Sequence, residues 1–239
     1  MALWILLSAH LIADFTLQSA EWASKKTQKL RYLFGHAFIY AVVMAIAFFV
    51  TIPAATGWVP FVITAISHLA IDWIRVASDK KSKKPITFFC SFVIDQILHI
   101  AIIVILVKAF SLHTQYTTWF SDWATKVPLD DYLRYILLLV IIWDPASVFV
   151  KKLSLYASGK VHTATNNEEA PVGSIIGKME RLIITILVLC NQIEAIGFVL
   201  TAKSLARYKQ LSEKDFAEKY LVGTLTSTAI AIVAALLLK

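Results

Sequence analysis

Seven apolar stretches of helical length divide the chain, and polar residues recur inside several of them four positions apart. The pattern predicts helices over about Ala2–Ala20, Leu33–Val50, Pro60–Val76, Ile86–Phe110, Tyr132–Val150, Gly177–Thr201 and Leu221–Leu238. A bilayer crossing takes roughly 20 residues, and isolated strands cannot satisfy their backbone in lipid. The expected fold is therefore all-α, a polytopic transmembrane helix bundle of about seven helices. The connections read as a basic loop "EWASKKTQKLR", an uncharged turn "TIPAATGWVP" and a second basic loop "SDKKSKKP". A longer loop follows with Tyr116, Trp119 and Trp123, aromatics suited to a membrane interface. After it come a polar linker, "KKLSLYASGKVHTATNNEEAP", and a charged surface helix, "KSLARYKQLSEKDFAEKY". Two regions result. Residues 1–150 form a transmembrane bundle, and residues 151–239 hold a linker, an amphipathic charged segment and the C-terminal transmembrane helices. No internal repeat stands out.

The basic loops 21–32 and 75–84 set the orientation, because lysine and arginine stay on the cytoplasmic side. The proline turn between them and the N-terminus then lie outside. Seven full crossings would leave the basic segment 203–219 outside, against the same rule. A re-entrant hairpin with its tip near "CNQIE" would give six spans and restore it. Both arrangements fit the sequence.

Composition agrees with the membrane reading. Of 239 residues, 58% are hydrophobic and 16% charged, against roughly 25% charged in a soluble domain; the mean hydropathy is +0.69. The net charge of +7 would suggest nucleic acid in a soluble protein. Here the lysines fall in short loops, so the charge reads as topology with no nucleic-acid partner; the basic loops suit membrane lipid and anionic head groups. Oligomeric state stays open. Cys90 and Cys190 lack a CxxC neighbour and read as packing residues. The opening "MALWILLSAHLIADF" has no basic n-region and is expected to remain as the first helix.

The polar residues inside the apolar runs carry the chemistry. Helix one has His10, Asp14 and Gln18 on one face. Helix two has His36 with Tyr40 four further on, helix three has His68 and Asp72, and helix four has Asp95, Gln96 and His99. Helix five has Asp144 before Pro145, which frees a backbone carbonyl. Counted from the cytoplasmic ends at 1.5 Å per residue, Asp14, Asp72, Asp95 and Asp144 lie roughly 6–14 Å deep, and the histidines overlap them. One site in the cytoplasmic half of the membrane would gather them. Each isolated ionisable group costs about 2.5–3.5 kcal/mol or more in lipid. Mutual pairing or a metal offsets that cost, and imidazole with carboxylate suits Zn, Mn or Fe. The competing explanation is structural: His–Asp hydrogen bonds that staple helices together. His113 and His162 fall in loops and read as solvated. In the C-terminal third, Glu180 and Arg181 precede an apolar run, and Lys203 and Arg207, on one helical face, follow it. The two cations either hold an anionic group or pair with Glu180 or Glu218.

The stretches "HLIADFTLQS", "SHLAIDW", "FVIDQILH" and "AKSLARYKQLSEKDFAEKYLVGTLTS" together resemble a bacterial membrane family, domain of unknown function 3307. The resemblance implies a multi-pass protein of the bacterial cytoplasmic (inner) membrane and brings no activity with it. "SHLAIDW" is also similar to the His–Asp signature of membrane-bound metal-dependent hydrolases.

Two functions follow as expectations. In a metal-dependent hydrolase acting on a cytoplasmic or inner-leaflet substrate, His10, Asp14, His68, Asp72, Asp95 and His99 would be metal ligands or their immediate supports. His36 and Asp144 would be free for acid–base work, and Gln18, Gln96, Lys203 and Arg207 would contact substrate. In a proton- or metal-ion-coupled transporter the same residues would line the pathway. A third reading is a membrane regulator or interaction protein whose polar groups only hold the bundle. Gly-x-Ser-x-Gly, P-loop and His-Glu-x-x-His motifs are missing from the sequence.

Overall fold

The computed structural model describes residues 1–26, 28–81, 84–159 and 171–239, and among them it has ten α-helices and no strand. The helices are α1 (Ala2–Leu11), α2 (Ala20–Lys26), α3 (Leu30–Thr51), α4 (Ala54–Lys81), α5 (Pro85–Ala109), α6 (Thr118–Ala124), α7 (Leu129–Ala157), α8 (Pro171–Leu189), α9 (Glu194–Ala206) and α10 (Lys214–Leu238). Five of them, α3, α4, α5, α7 and α10, are long and apolar enough to cross a membrane. The first apolar segment, Ala2–Thr16, is shorter. The chain divides into two compact units, Met1–Leu137 and Leu138–Lys239, with the division inside α7.

The helices extend well past their apolar cores. The uncharged turn shrinks to the residues around Pro53, because α4 starts at Ala54 and takes Pro60 into its first turns. The loop "SDKKSKKP" is largely helix, since α4 runs on to Lys81 and α5 opens with Pro85 at its first position, where a missing N–H costs nothing. The supposed loop "EWASKKTQKLR" contains α2, and α7 continues to Ala157 into the expected linker. Lys and Glu are good helix formers, so charge ends an apolar pattern without ending the helix. His162 lies outside the described residues.

The sixth expected helix, 177–201, is broken. α8 stops at Leu189, Asn191 takes a left-handed conformation (φ 58°), and α9 begins at Glu194. The "CNQIE" tip is thus a helix–turn–helix rather than a continuous span. The charged segment is divided too: α9 ends at Ala206, a short 3₁₀ turn covers Gln210–Ser212, and α10 starts at Lys214.

In the first unit α1, α3, α4 and α5 pack as a closed ring, α1 on α3, α3 on α4, α4 on α5 and α5 back on α1. Facing residues fix the directions. His10 meets Tyr40 and Asp14 meets His36, so α1 opposes α3; Arg75 meets Asp95 while His68 meets His99, so α4 opposes α5. One end of the ring is apolar: Leu6, Met44, Phe48, Ile52, Ile103 and Val107 form a continuous core. The outer surface is apolar as well, with Phe38 71% and Ile74 70% exposed. Polar groups inside and apolar groups outside invert the pattern of a soluble protein, and lipid is the solvent that makes such a ring stable. Cys90 and Cys190 are free and exposed, not packed. An apolar neighbourhood in sequence marks lipid contact here as readily as core.

In the second unit α8 packs against α10 along a buried polar seam of Glu180, Arg181, Thr185, Thr224, Ser227 and Thr228. Arg181 donates to the carbonyls of Ile142 and Trp143 and to the hydroxyls of Ser147 and Ser227. These carbonyls lie two and three residues before Pro145 inside α7, a residue with no N–H to give the helix ladder.

Candidate metal centre

Each helix of the ring supplies one histidine: His10 from α1, His36 from α3, His68 from α4 and His99 from α5. All four are buried, as are Asp14, Asp72 and Asp95. The i, i+4 spacing explains how they meet. Antiparallel neighbours reverse the order, so His10–Asp14 and His68–Asp72 align with Tyr40–His36 and His99–Asp95. One layer holds His10, Tyr40, His68 and His99; the next holds Asp14, His36, Asp72 and Asp95.

In the first layer Tyr40 stacks flat on His68, ring centroids 3.5 Å apart, and its hydroxyl lies 3.2 Å from His10 Nδ1. His99 closes the layer, 4.4 Å from His68 and 5.3 Å from His10 between centroids. In the second layer His36 Nε2 is 3.0 Å from Asp14 Oδ1, 3.2 Å from His68 Nε2 and 3.6 Å from Asp72 Oδ2. Asp72 Oδ2 is also 3.8 Å from His68 Nε2. Asp14 sits in a π-helical turn, Ile12–Thr16, closed by the Leu17 N–H donating to the Ile12 carbonyl at 2.9 Å. Such single π turns interrupt α-helices mostly at functional positions. Here the wider turn presents Asp14 to both α3 and α5.

The three carboxylates differ in their partners. Asp72 accepts from Lys26 Nζ at 2.7 Å. Asp95 accepts from Arg75 Nη1 at 2.9 Å and from Gln96 Nε2 at 3.0 Å. Among the described residues, Asp14 has His36 and the Gln96 amide, 2.6 Å from Oδ2, as side-chain hydrogen-bond partners. With its amide oriented to suit its neighbours, Gln18 donates to the Asp14 backbone carbonyl at 3.1 Å and accepts from Lys26 Nζ at 2.7 Å. Arg75 also faces Asp79 Oδ2 at 4.0 Å, so among the described residues Asp14 is the carboxylate of the three with no lysine or arginine at contact distance.

The donor set fits a metal ion on two counts. Four ligands about 2.0–2.1 Å from a tetrahedral ion stand about 3.3–3.4 Å from one another, and four of the six separations among Asp14 Oδ1, His36 Nε2, His68 Nε2 and Asp72 Oδ2 are 3.0, 3.2, 3.6 and 3.8 Å. Two triplets, His10–Asp14–His99 and Asp14–His36–His68, each offer ligand atoms within 4.8 Å of one another. Second, buried polar atoms are left over: His10 Nε2, His68 Nδ1, both ring nitrogens of His99 and Asp95 Oδ1 have no hydrogen-bond partner. Buried groups of this kind ordinarily have one.

The other residues singled out by sequence lie elsewhere. Asp144 belongs to the second unit, where it pairs with Lys178 at 2.6 Å. Lys203 pairs with Glu180, and Arg207 lies over the Phe216 ring. His113 is in a short 3₁₀ turn and exposed. The sequence reading missed Lys26 and Arg75, both treated as loop charges. Arg75 had a signal, three residues after Asp72 on the same helix. Lys26 had none, because its reach into the ring depends on the fold of α2.

The profile of the family described as protein of unknown function (DUF3307) matches residues 2–127. The chain belongs to this family. The matched region takes in the whole His/Asp cluster and lies within the first unit. No curated protein and no solved structure matches the chain.

Proposed function

We propose that this DUF3307 protein is a membrane-embedded metal-dependent hydrolase acting on a cytoplasmic or inner-leaflet substrate of a bacterial inner membrane. The observation that supports it is the convergence of Asp14 Oδ1, His36 Nε2, His68 Nε2 and Asp72 Oδ2 at ligand spacing, beside imidazoles with unused nitrogens. Asp14, His36 and His68 would hold Zn, Mn or Fe. This moves His36 from the acid–base work expected of it to the ligand set. His10 and His99 move the other way, because their free nitrogens can take a proton from, or return one to, a reacting group. A divalent ion bound there would lower the pKa of a coordinated water to about 7 and make it a nucleophile at neutral pH. Gln96 orients Asp14, Tyr40 holds the His68 and His10 rings, and Arg75 fixes the Asp95 carboxylate beside His99.

Purified protein should contain about one equivalent of metal by elemental analysis. Metal-loaded protein should hydrolyse members of a panel of carboxylic esters and phosphodiesters, and His68→Ala should lose both metal and turnover. Protein that folds but binds no Zn, Mn or Fe would end this reading. A second reading, metal-ion or proton transport, draws on the burial of all seven His and Asp side chains. Metal-dependent uptake into proteoliposomes without hydrolysis would favour it.

A further inference from the structure

Lys26 sits oddly for a residue of a basic connection. Its side chain is 7% exposed, and its ammonium is 2.7 Å from Asp72 Oδ2, an oxygen that also faces His36 and His68. The ammonium occupies a place that a cation would take at the centre. The helix that carries it, α2, is only seven residues long. It is moored to α3 by Trp22, whose indole Nε1 donates to the Tyr32 carbonyl at 2.8 Å and whose ring edge fills the space above Gly35. A Cβ at Gly35 would stand 2.8 Å from Trp22 Cζ2.

Occupancy decides what happens when metal arrives. Lys26 Nζ already holds Asp72 Oδ2, the oxygen that lies 3.6 Å from His36 Nε2 and 3.8 Å from His68 Nε2. An ion bound to that oxygen at about 2.0–2.2 Å would stand against an ammonium 2.7 Å from the same atom, and two cations that close repel strongly. Replacement therefore wins over addition, and it frees Asp72 Oδ2 as a ligand.

We infer that Lys26 is the resident cation of the metal-free centre, that a divalent metal displaces it from Asp72, and that α2 lifts from its seat as the metal enters. The inference rests on the metal reading above and adds to it a determinant of affinity and a moving part. Lys26 leaves as the ammonium it already is, so no proton or electron changes hands.

The test is competition, read without turnover. Detergent-purified wild type, Lys26→Met and Gly35→Ala are titrated with Zn²⁺ or Mn²⁺. The inference expects both variants to bind about tenfold or more tighter than wild type, because in each the competitor is removed or its helix unseated. Limited trypsin digestion of wild type should cut within α2 faster once metal is loaded. Unchanged or weaker metal binding in both variants, or digestion of α2 that ignores metal, overturns the exchange. If Lys26→Met fails to fold, Gly35→Ala and the digestion of wild type still decide it. Wild type that takes up no metal at all refutes the metal reading itself, a distinct outcome.

Discussion

The carboxylates of the cluster look alike in sequence, and their partners make them unlike in function. Asp14 has His36 and Gln96 as side-chain partners and lies in both candidate ligand triplets. Asp14→Asn should therefore abolish metal binding while the protein stays folded, since an amide still accepts from Gln96 and is a weak metal ligand. Asp95 is tied to Arg75. Breaking a buried pair costs about 3–5 kcal/mol in soluble proteins. Asp95→Asn removes the nearer of the two carboxylates facing Arg75 and leaves Asp79 Oδ2 at 4.0 Å. Its thermal unfolding temperature in detergent should fall sharply, while metal stoichiometry is kept. Equal metal loss in both variants would mean that both are ligands. The four-residue spacing made the His and Asp residues of this site legible before any fold was known, because ionisable groups in lipid-facing helices stand out by cost alone. Their roles were not legible. Whether a carboxylate binds metal or balances an arginine depends on what the neighbouring helix brings, and that is set by register between helices.

Among the elements, the π turn of Ile12–Thr16 has the clearest consequence. It adds one residue to a turn, so every side chain after it is rotated by about 100° relative to a continuous α-helix. Deleting Ala13 should restore regular helix and keep the later side chains in phase, since the lost residue cancels the extra one, but it removes the widened turn that presents Asp14 to both α3 and α5. We expect metal binding to be lost with helical content by circular dichroism unchanged; retained metal binding would show that the turn is incidental. The break after α8 carries a milder prediction. Asn191 is left-handed, a conformation that costs other L-residues roughly 1–2 kcal/mol. Asn191→Gly should leave the unfolding temperature level or higher, and Asn191→Val should lower it. Hydrophobic pattern alone could not show this break, because residues 177–201 stay mostly apolar through it. The boundaries of α4 and α7 were misjudged for the opposite reason: charge ended the pattern where the helix continued.

At the scale of the molecule, the first unit ties orientation to the centre. α3, α4 and α5 alternate in direction, so Leu30, Lys81 and Pro85 share one end of the ring and Thr51, Ala54 and Ala109 the other. The basic residues Lys25, Lys29, Arg31, Lys80, Lys81 and Lys84 belong to the first end, which we propose faces the cytoplasm on the positive-inside rule. Lys26 is subtracted from this tally, because it is spent inside the ring on Asp72. Asp72 lies nine residues before Lys81, about 14 Å along a helix, and Lys26 of α2 reaches it from that side, so we propose that metal enters there, beneath α2. Two measurements check the chain of reasoning. A thiol-directed, membrane-impermeant reagent should label Ala55→Cys on intact cells and Lys81→Cys only in inverted vesicles, in a Cys90→Ser, Cys190→Ser background. On sealed vesicles of each orientation, a membrane-impermeant chelator should strip metal only where the cytoplasmic face is outward. Labelling of Lys81→Cys on intact cells would reverse the membrane orientation and place metal loading on the outer side. Correct labelling with stripping from the outer face would leave the topology standing and defeat the proposed route beneath α2.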